Sequence, residues 1–487
     1  MNMCTKRWLS LACAAGLLGL AGLQAGCSPT TEPAAELPIV TSSGAAPTLL
    51  LVHFDGTAAS LRMRPVDPVS LQDAPATQPL SLESNYISAL SPDGRTLAAI
   101  TWPNKRTANR GGVLHVIDLV GWTDRRTSIT FDDHVRQLLF APDGRQLYWV
   151  RPGQMTGEAA KNPDPGVYRY DLATDKATRV VALPPMFFPE FAGVAVAGDR
   201  MAIVGSTVGD ASPSRAAEVY VVDLAKGSVA AKFELAGIRA GQVRDAGAAD
   251  DDLRNVRPAI GWDLTHGRLY VIDADDDRVA VIDLASAAMR GPLVVRPRAS
   301  LFDRLLGLLS SPADAKMQSS SDRRVVVSPD GRRLYVSGFR SDFVGSADPQ
   351  DVGREQVTPL PLQVIDTSDM TEVGRIDLAS TELAISADGR RLLAVTNRFE
   401  SSSTGWAARS GYELRLIDTE RLTQVASMAL EGRGQIIGLA SDAVYVAAHV
   451  GFESTVLRRV TVTDLRMEQV RKLDGGVGNL FFPNSGR

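Results

Sequence analysis

Cysteine is almost absent from this chain of 487 residues. Two of its three cysteines, Cys4 and Cys13, fall in an apolar leader, which leaves Cys27 as the single thiol of the remaining chain. One thiol cannot form a disulfide within one molecule, and it cannot supply a cysteine-based metal site. A disulfide scaffold and thiol-based metal or catalytic chemistry are therefore excluded.

The sequence also lacks an excess of charge of either sign. Its formal net charge is −4, from 52 Lys and Arg against 56 Asp and Glu. Proteins that bind nucleic acid through its phosphates need clustered cations. Nucleic acid is therefore not an expected partner.

Common catalytic motifs are missing as well. The sequence contains no GxSxG elbow, P-loop or GxGxxG, and its five histidines show no HExxH or other paired spacing. His115 falls in a predicted strand and His266 in a predicted turn, so structural or solvated roles are expected for both. The sequence thus favours a protein that is not an enzyme and leaves the enzyme alternative open.

Residues 1–26 have the features of a lipoprotein signal peptide. Lys6 and Arg7 precede the apolar run WLSLACAAGLLGLAGL, which is shorter than the roughly 20 residues that span a bilayer. A retained transmembrane helix is the alternative. The stretch LQAGC resembles the lipobox of bacterial lipoproteins, although Gln24 stands where such leaders usually carry leucine. The resemblance implies a lipid on Cys27 and hence the membrane as a partner, whereas an exported protein with an unmodified Cys27 is the other interpretation.

The segment 27–47 that follows is rich in Pro, Ser, Thr and Ala and has no apolar periodicity. This composition predicts a flexible tether. The expected location is the cell envelope, on the periplasmic side of an outer membrane or on the outer face of the cell membrane. The lipobox resemblance favours the outer membrane, where the host has one, because Ser28 follows the cysteine.

One ten-residue pattern recurs along the rest of the chain. SPDGRTLAAI begins at Ser91, and variants begin at Ala141, Ser328 and Ser386, with weaker copies at 197, 264 and 440. The repeat averages about 58 residues, a period typical of repeat architectures. Pro and Asp suit the corners of a type I turn and Gly suits the left-handed position after it, so each copy predicts a β-hairpin.

A second pattern, VIDL or VIDT, ends a third strand in each repeat, and a fourth apolar segment follows it. Four strands per repeat are typical of a propeller blade. The two ends of the chain affect the number of blades. Residues 48–82 resemble the second, third and fourth strands of a repeat that lacks its first strand, and GNLFFP (478–483) resembles a single strand with no partner of its own. The sequence therefore predicts an all-β propeller over residues 48–487. Eight four-stranded blades are favoured over seven, with the ring closed by pairing of the terminal strands.

The combination of SPDGRRLYV with VIDT or VIDL resembles the YVTN family of β-propeller repeats, relatives of WD-repeat and lactonase-type propellers. The resemblance covers nearly all of residues 48–483 and is specific for the fold. The asparagine that ends the family pattern stands clearly at Asn397. Because such propellers serve as scaffolds, ligand binders and enzymes, the resemblance does not select a function.

Strand alternation places two kinds of connection on opposite faces of the predicted disc. The SPDG turns and the turns after VIDL form one face, here called the short-turn face. The other, the loop-rich face, carries the variable loops 102–112, 151–166, 338–361 and 397–411. Function usually resides in such loops. The loop residues best suited to hold a ligand or partner are Trp102, Arg106, Arg110, Arg151, Arg340, Arg398, Trp406 and Arg409.

An acidic run near the middle of the chain is the one candidate metal site. Asp273, Asp275 and Asp277 offer carboxylate oxygens of the type that calcium prefers. The run lacks the Gly and the distal Glu of an EF-hand loop, and a solvated hairpin turn is the favoured alternative. No other cofactor is expected.

The sequence as a whole predicts an exported, lipid-anchored β-propeller that acts as a non-catalytic binding module. The expected partner is an envelope protein, a glycan or a small ligand at the loop-rich face. The alternative is a periplasmic or extracellular hydrolase of lactonase type, or a metal-dependent propeller enzyme.

Overall fold

The computed structural model describes a β-propeller built from strands and turns. The described residues are 39–40, 49–55, 60–73, 79–83, 85–102, 112–131, 135, 137–153, 164–195, 198–207, 216–244, 253–295, 318–344, 354–401, 407–450, 454–474 and 477–481. Within these ranges, no helix is long and apolar enough to cross a membrane. The all-β fold predicted from the repeats is confirmed.

The strands are numbered in chain order, and seven four-stranded blades are lettered A to G. The chain begins with β1 (Ile39–Val40), β2 (Leu49–Asp55), β3 (Ser60–Val66) and β4 (Leu80–Glu83). Blade A contains β5 (Asn85–Leu90), β6 (Thr96–Trp102), β7 (Gly112–Asp118) and β8 (Thr123–Phe131). Blade B contains β9 (Gln137–Phe140), β10 (Gln146–Arg151), β11 (Gly166–Asp171) and β12 (Lys176–Ala182). Blade C contains β13 (Phe187–Val194), β14 (Arg200–Thr207), β15 (Ala216–Asp223) and β16 (Ser228–Arg239).

Two extra strands, β17 (Gly241–Arg244) and β18 (Leu253–Arg257), precede the second half of the chain. Blade D contains β19 (Ala259–Asp263), β20 (Arg268–Ile272), β21 (Arg278–Asp283) and β22 (Ala288–Val294). Blade E contains β23 (Gln318–Val327), β24 (Arg333–Val344), β25 (Arg354–Asp366) and β26 (Thr371–Ile376). Blade F contains β27 (Glu382–Ile385), β28 (Arg391–Ser401), β29 (Ala407–Asp418) and β30 (Thr423–Leu430). Blade G contains β31 (Arg433–Ala440), β32 (Ala443–Val450), β33 (Ser454–Thr461) and β34 (Met467–Asp474), and β35 (Val477–Phe481) follows it.

Each lettered blade is an antiparallel meander of consecutive strands. Seven such blades match the alternative count given by the sequence, rather than the favoured eight. The physical reason is that the first repeat begins without a first strand of its own. A further four-stranded sheet, here called the terminal sheet, has the order β35-β2-β3-β4 and takes its strands from both ends of the chain. Within it, β2 and β35 pair antiparallel, with Leu50 opposite Phe481.

Serine and aspartate side chains shape the recurrent hairpin turns. Ser91 donates from Oγ to Asp93 Oδ1 at 2.6 Å, and Ser328 donates to Asp330 in the same way at 2.6 Å. The bond from Ser328 lowers the pKa of Asp330 below its ordinary value. The glycine that follows has positive φ, +68° at Gly94 for example, which residues other than glycine rarely adopt. The SPDG pattern thus forms the predicted hairpin for local reasons.

The hydrophobic core lies between neighbouring sheets. Ile100 of blade A and Trp149 of blade B belong to one buried cluster, and Leu393 of blade F and Val444 of blade G belong to another. Second strands are buried over most of their length, whereas fourth strands such as β12 are mainly exposed. First strands of neighbouring blades contact one another. Each blade therefore runs from a first strand at the centre to a fourth strand at the rim.

The terminal sheet packs between blades G and A. Val66 and Leu71 share a buried cluster with Tyr445 of blade G. On the other side, Met63 and Leu82 share a cluster with residues of blade A that include Leu97. The terminal sheet therefore contacts both the first and the last lettered blade.

Two short additions pair with first strands. β18 runs parallel to β23, with Val256 opposite Ser321, and extends the sheet of blade E. β1 lies within the segment predicted as a tether and runs parallel to β31, with Ile39 opposite Leu439. The signal peptide, Cys27 and the other tether residues lie outside the described residues.

Candidate functional site

The residues predicted to contact a ligand lie on several blades rather than in one cluster. Trp102 ends β6 and Arg151 ends β10, while Arg340 lies in β24 and Arg398 in β28. Arg409 lies in β29, opposite Phe399, and the side chains of Arg398 and Arg409 are not among those described. Arg106, Arg110 and Trp406 lie outside the described residues. Blades A, B, E and F therefore contribute these positions at their loop-rich ends.

Trp102 packs against the hydrophobic cluster between blades A and B. Its indole is half-buried and joins the cluster of blades A and B, where it covers Gly112 so closely that a Cβ there would lie 2.5 Å from Nε1. The buried Nε1 has no hydrogen-bond partner among the described residues. The side chain thus stabilises blade A, in addition to any contact that it makes with a ligand. Arg151 and Arg340 are half-buried, and both interact with other residues.

The acidic run forms the connection between β20 and β21 and is held by donors from the protein. Asp273 is fully buried and accepts backbone N–H hydrogen bonds from Arg239, Asp275 and Asp276, at 2.8 to 2.9 Å. The carboxylate of Asp275 pairs with the guanidinium of Arg239. In the part of the chain that the structure describes, no three His, Cys, Asp or Glu side chains are grouped to hold a metal ion. The sequence favoured a solvated hairpin turn here, whereas the structure shows a turn in which Asp273 is buried and hydrogen-bonded.

The same turn borders a cavity of about 310 Å³ between blades D and E. Blade E supplies side chains from all four of its strands, and blade D supplies the three aspartates of the turn. The lining residues are Asp275, Asp276, Asp277, Arg323, Val336, Ser337, Leu360, Pro361, Gln363 and Arg375. The connection between β20 and β21 belongs to the loop-rich face, so this D/E cavity opens near that face.

A chain of polar contacts fixes the charged lining of the D/E cavity. Arg323, whose side chain is 7% exposed, donates from Nη1 and Nη2 to Asp277 Oδ1, both at 3.2 Å. Gln363 Nε2 donates to Asp277 Oδ2 at 3.2 Å and to Glu372 Oε2 at 3.4 Å. Arg375 in turn donates to both oxygens of Glu372, at 2.8 and 2.7 Å. Each charge therefore has an opposite partner, and the side chains hold one geometry.

Two charged side chains at this cavity are partly exposed. The Asp276 side chain is 57% exposed, and its Oδ2 lies 3.8 Å from Arg278 Nε. The Arg375 side chain, which pairs with Glu372, is 46% exposed. Beside them, Leu360 and Pro361 give the wall an apolar surface. A small ligand that offers both hydroxyls and an apolar face fits this combination.

A carboxyl with a perturbed pKa lies near the centre of the propeller at the same end. Glu382 begins β27, the first strand of blade F, and its Oε2 accepts a hydrogen bond of 2.6 Å from the Ile436 N–H of blade G. Burial raises the pKa of Glu382 to about 7, against the opposing effects of the Ile436 N–H, Arg324 and Arg433. This carboxyl therefore changes its charge near neutral pH.

A second cavity, of about 250 Å³, lies between the terminal sheet and blade A. His115, for which the sequence predicted a structural or solvated role, lines it together with Thr101 and Arg126. His115 is 3% exposed and hydrogen-bonded on both ring nitrogens. This cavity is separate from the D/E cavity.

The residues that line the two cavities were largely missed by reasoning from sequence. Arg323, Gln363 and Arg375 lie in strands, and the apolar pattern of a strand predicts its core residues but not the polar lining of a cavity. One usable signal was present, because Arg323 opens an otherwise apolar run, RRVVV, just before an SPDG turn. The structure places Arg323 midway along β23, where it donates to the Asp276 carbonyl and the Asp277 carboxylate of blade D.

Comparison with known proteins supports the fold. No family model and no curated protein matches the chain. A eukaryotic initiation factor matches with 9% identity over 91% of this chain and 99% of that chain, at a TM-score of 0.50. The dihydro-heme d1 dehydrogenase NirN, in complex with DHE, matches with 14% identity over 94% of this chain and 79% of that chain, at a TM-score of 0.51.

A third similar structure is the β-propeller domain of Cps50 (Swd1) from Myceliophteria thermophila, with 13% identity over 80% of this chain and 98% of that chain. Its TM-score is 0.37. At these identities the likeness concerns the fold alone. The YVTN resemblance and the lipoprotein leader stay predictions from the sequence.

Proposed function

We propose that this chain is an exported, lipid-anchored β-propeller that acts as a binding module at the cell envelope. The D/E cavity carries the proposal, because its charged lining is paired and fixed before any ligand arrives. Such preorganisation lowers the entropy cost of binding. The role of this cavity is recognition rather than catalysis, since its charged groups already form ion pairs with one another.

The ligand best suited to the D/E cavity is a glycan end or a similar small molecule rich in hydroxyls. Asp276 and Asp277 can accept hydrogen bonds from hydroxyls, and Arg375 can donate them. Leu360 and Pro361 supply apolar contact for a sugar ring. An envelope protein that presents such a group is a compatible partner.

The proposed architecture is a ring that the terminal sheet closes, because this sheet takes strands from both ends of the chain. Pairing of β2 with β35 supports closure, as does the packing of the terminal sheet against blades G and A. A closed ring removes exposed sheet edges and gives the loop-rich face a rigid frame. The YVTN-type repeat pattern agrees with this arrangement.

The two comparison structures with TM-scores of at least 0.50 leave the biochemical role undetermined. One is a dehydrogenase and the other an initiation factor. The proposal therefore depends on the cavity and on the predicted leader rather than on these similarities.

An array of bacterial surface oligosaccharides, probed with the purified protein, tests the assignment. Replacement of exposed cavity groups, in Asp276→Ala and Arg375→Ala, is expected to weaken binding of the retained oligosaccharides by about tenfold, the loss of one or two charged hydrogen bonds. Arg421→Ala is the matched control, because Arg421 is an 81% exposed arginine on the short-turn face. If no oligosaccharide is retained, or if all three variants bind equally, the assignment is wrong.

A further inference from the structure

Three polar side chains from consecutive strands of blade A form a continuous hydrogen-bonded chain. Thr101 lies in β6, His115 in β7 and Asp124 in β8. Thr101 Oγ1 lies 3.1 Å from His115 Nε2, and His115 Nδ1 lies 2.9 Å from Asp124 Oδ2 and 3.1 Å from Oδ1. Thr101 and His115 are 1% and 3% exposed, so packing holds this chain in place.

The order of the three groups determines where the protons lie. An ionised Asp124 can only accept, so His115 Nδ1 carries the proton that bonds to it. In the neutral imidazole, Nε2 is then an acceptor, and the Thr101 hydroxyl donates to it. A hydroxyl bonded to an imidazole that is itself oriented by a carboxylate is the arrangement that activates an oxygen nucleophile.

The same side chains border the 250 Å³ cavity between the terminal sheet and blade A. Thr101 and His115 line it, with Leu82 and Val113 as apolar walls and Arg126 as a cation. The Arg126 side chain is 71% exposed, and its Nε lies 3.9 Å from Asp124 Oδ2. The cavity thus offers space for a small acyl group next to Thr101, and Arg126 adds to its lining a positive charge that can stabilise a developing oxyanion.

A second histidine–threonine pair shows what distinguishes this site. In blade G, His449 Nδ1 lies 3.1 Å from the hydroxyl of the fully buried Thr455. Burial and the nearby Arg433 lower the pKa of His449. No carboxylate is recorded on this ring among the described residues, so the pair lacks the third member that orients His115.

We propose that Thr101 is the nucleophile of an acyl-transfer site that hydrolyses small carboxylic esters, in addition to the binding role of the D/E cavity. Thr101 Oγ1 attacks the carbonyl carbon while its proton passes to His115 Nε2, and the carbonyl electron pair moves to oxygen beside Arg126. Collapse of this intermediate breaks the bond to the alcohol, which takes the proton from Nε2. Water then attacks the acyl-threonine in the same way, releases the acid and restores the Thr101 hydroxyl.

The test uses the full-length protein in detergent with p-nitrophenyl acetate as the substrate. The measurements are p-nitrophenol release and, after an acid quench, the mass of the peptide that contains Thr101. Thr101→Val removes the hydroxyl at nearly constant volume, and Thr101→Ser keeps it. Asp124→Asn removes the charge that orients His115, and Thr455→Val in blade G is the matched control.

We expect saturable hydrolysis and an acetylated Thr101 peptide in the parent protein and in Thr455→Val. Thr101→Val should lose at least about 100-fold in rate and all of the adduct, whereas Thr101→Ser should retain both. Asp124→Asn should fold like the parent protein and hydrolyse p-nitrophenyl acetate more slowly. The proposal is overturned if the folded parent protein hydrolyses no p-nitrophenyl acetate above the buffer rate. It is equally overturned if folded Thr101→Val, checked by thermal unfolding, keeps the parent rate.

Discussion

The hydroxyl of Tyr445 donates a hydrogen bond of 2.9 Å to the carbonyl oxygen of Pro68, and so joins two residues 377 positions apart. Arg471 adds two bonds beside it, to the carbonyl oxygen of Leu71 at 2.9 Å and to the carboxylate of Asp73 at 2.7 Å. Blade G thereby holds the turn that follows β3 of the terminal sheet. Contacts of this span stabilise only the assembled propeller, because no local segment contains both partners.

Tyr445→Phe is expected to destabilise the protein by about 1 kcal/mol, because the substitution leaves the buried Pro68 carbonyl without its donor. Tyr270 provides a matched control. It occupies the corresponding position in the second strand of blade D, it is equally buried, and within the described part of the chain its hydroxyl has no hydrogen-bond partner. Tyr270→Phe should therefore leave stability unchanged or raise it slightly. Urea unfolding of the two variants measures the difference, and equal losses would contradict the assigned role of the Tyr445 bond.

Glu382→Gln is expected to change the pH dependence of stability. Because burial raises the pKa of Glu382 from 4.5 to about 7, the folded protein binds more protons than the unfolded chain between these values. The contribution of this group to the free energy of unfolding is therefore complete below about pH 4.5. It falls by up to roughly 3 kcal/mol as the pH rises to about 7. The amide of glutamine can still accept from the Ile436 N–H and carries no charge.

Thermal unfolding of both proteins between pH 5 and about pH 8 checks this prediction. Relative to Glu382→Gln, the melting temperature of the parent protein should fall as the pH rises over this range. The melting temperatures of the two proteins should be most similar at about pH 5. A constant offset across the range would show that Glu382 does not titrate there.

Two glycine substitutions in hairpin turns separate backbone strain from steric contact. Gly331 and Gly267 have nearly the same φ, +70° and +65°. A Cβ on Gly331 would lie 2.7 Å from Asp263 Oδ2 and 2.9 Å from His266 Nδ1, whereas a Cβ on Gly267 meets nothing within 4 Å. Both alanine variants should lose about 1 to 2 kcal/mol to the left-handed conformation, and Gly331→Ala should lose about 1 kcal/mol more. Chemical denaturation at constant pH measures both, and equal losses would show that the neighbouring side chains move at no cost.

Cys27→Ser is expected to release the protein from the membrane fraction of its host. A lipid on Cys27 would hold the chain at the bilayer through buried methylene groups, which serine cannot carry. Fractionation followed by mass spectrometry of the N-terminal peptide compares the two proteins. Recovery of unmodified Cys27 in the parent protein would favour the soluble exported form that the sequence left as an alternative.

Local chemistry explains why the sequence by itself determined the repeating unit. Pro, Asp and Gly at fixed spacing specify the hairpin after Ser91 and its copies, and the Ser91 to Asp93 bond involves residues only two apart. Apolar periodicity likewise specified the strands and their order within each blade.

Tertiary structure alone decided which side chains share a cavity. Arg323 and Asp277 are 46 residues apart, on different blades, and Gln363 meets the same carboxylate from 86 residues away. Thr101, His115 and Asp124 meet because three strands align in one register, and a one-residue slip would turn each side chain to the other face. Hairpins depend on interactions between residues a few positions apart, so the sequence predicts them. These two sites depend on how strands align and how blades pack, and no short sequence motif specifies either.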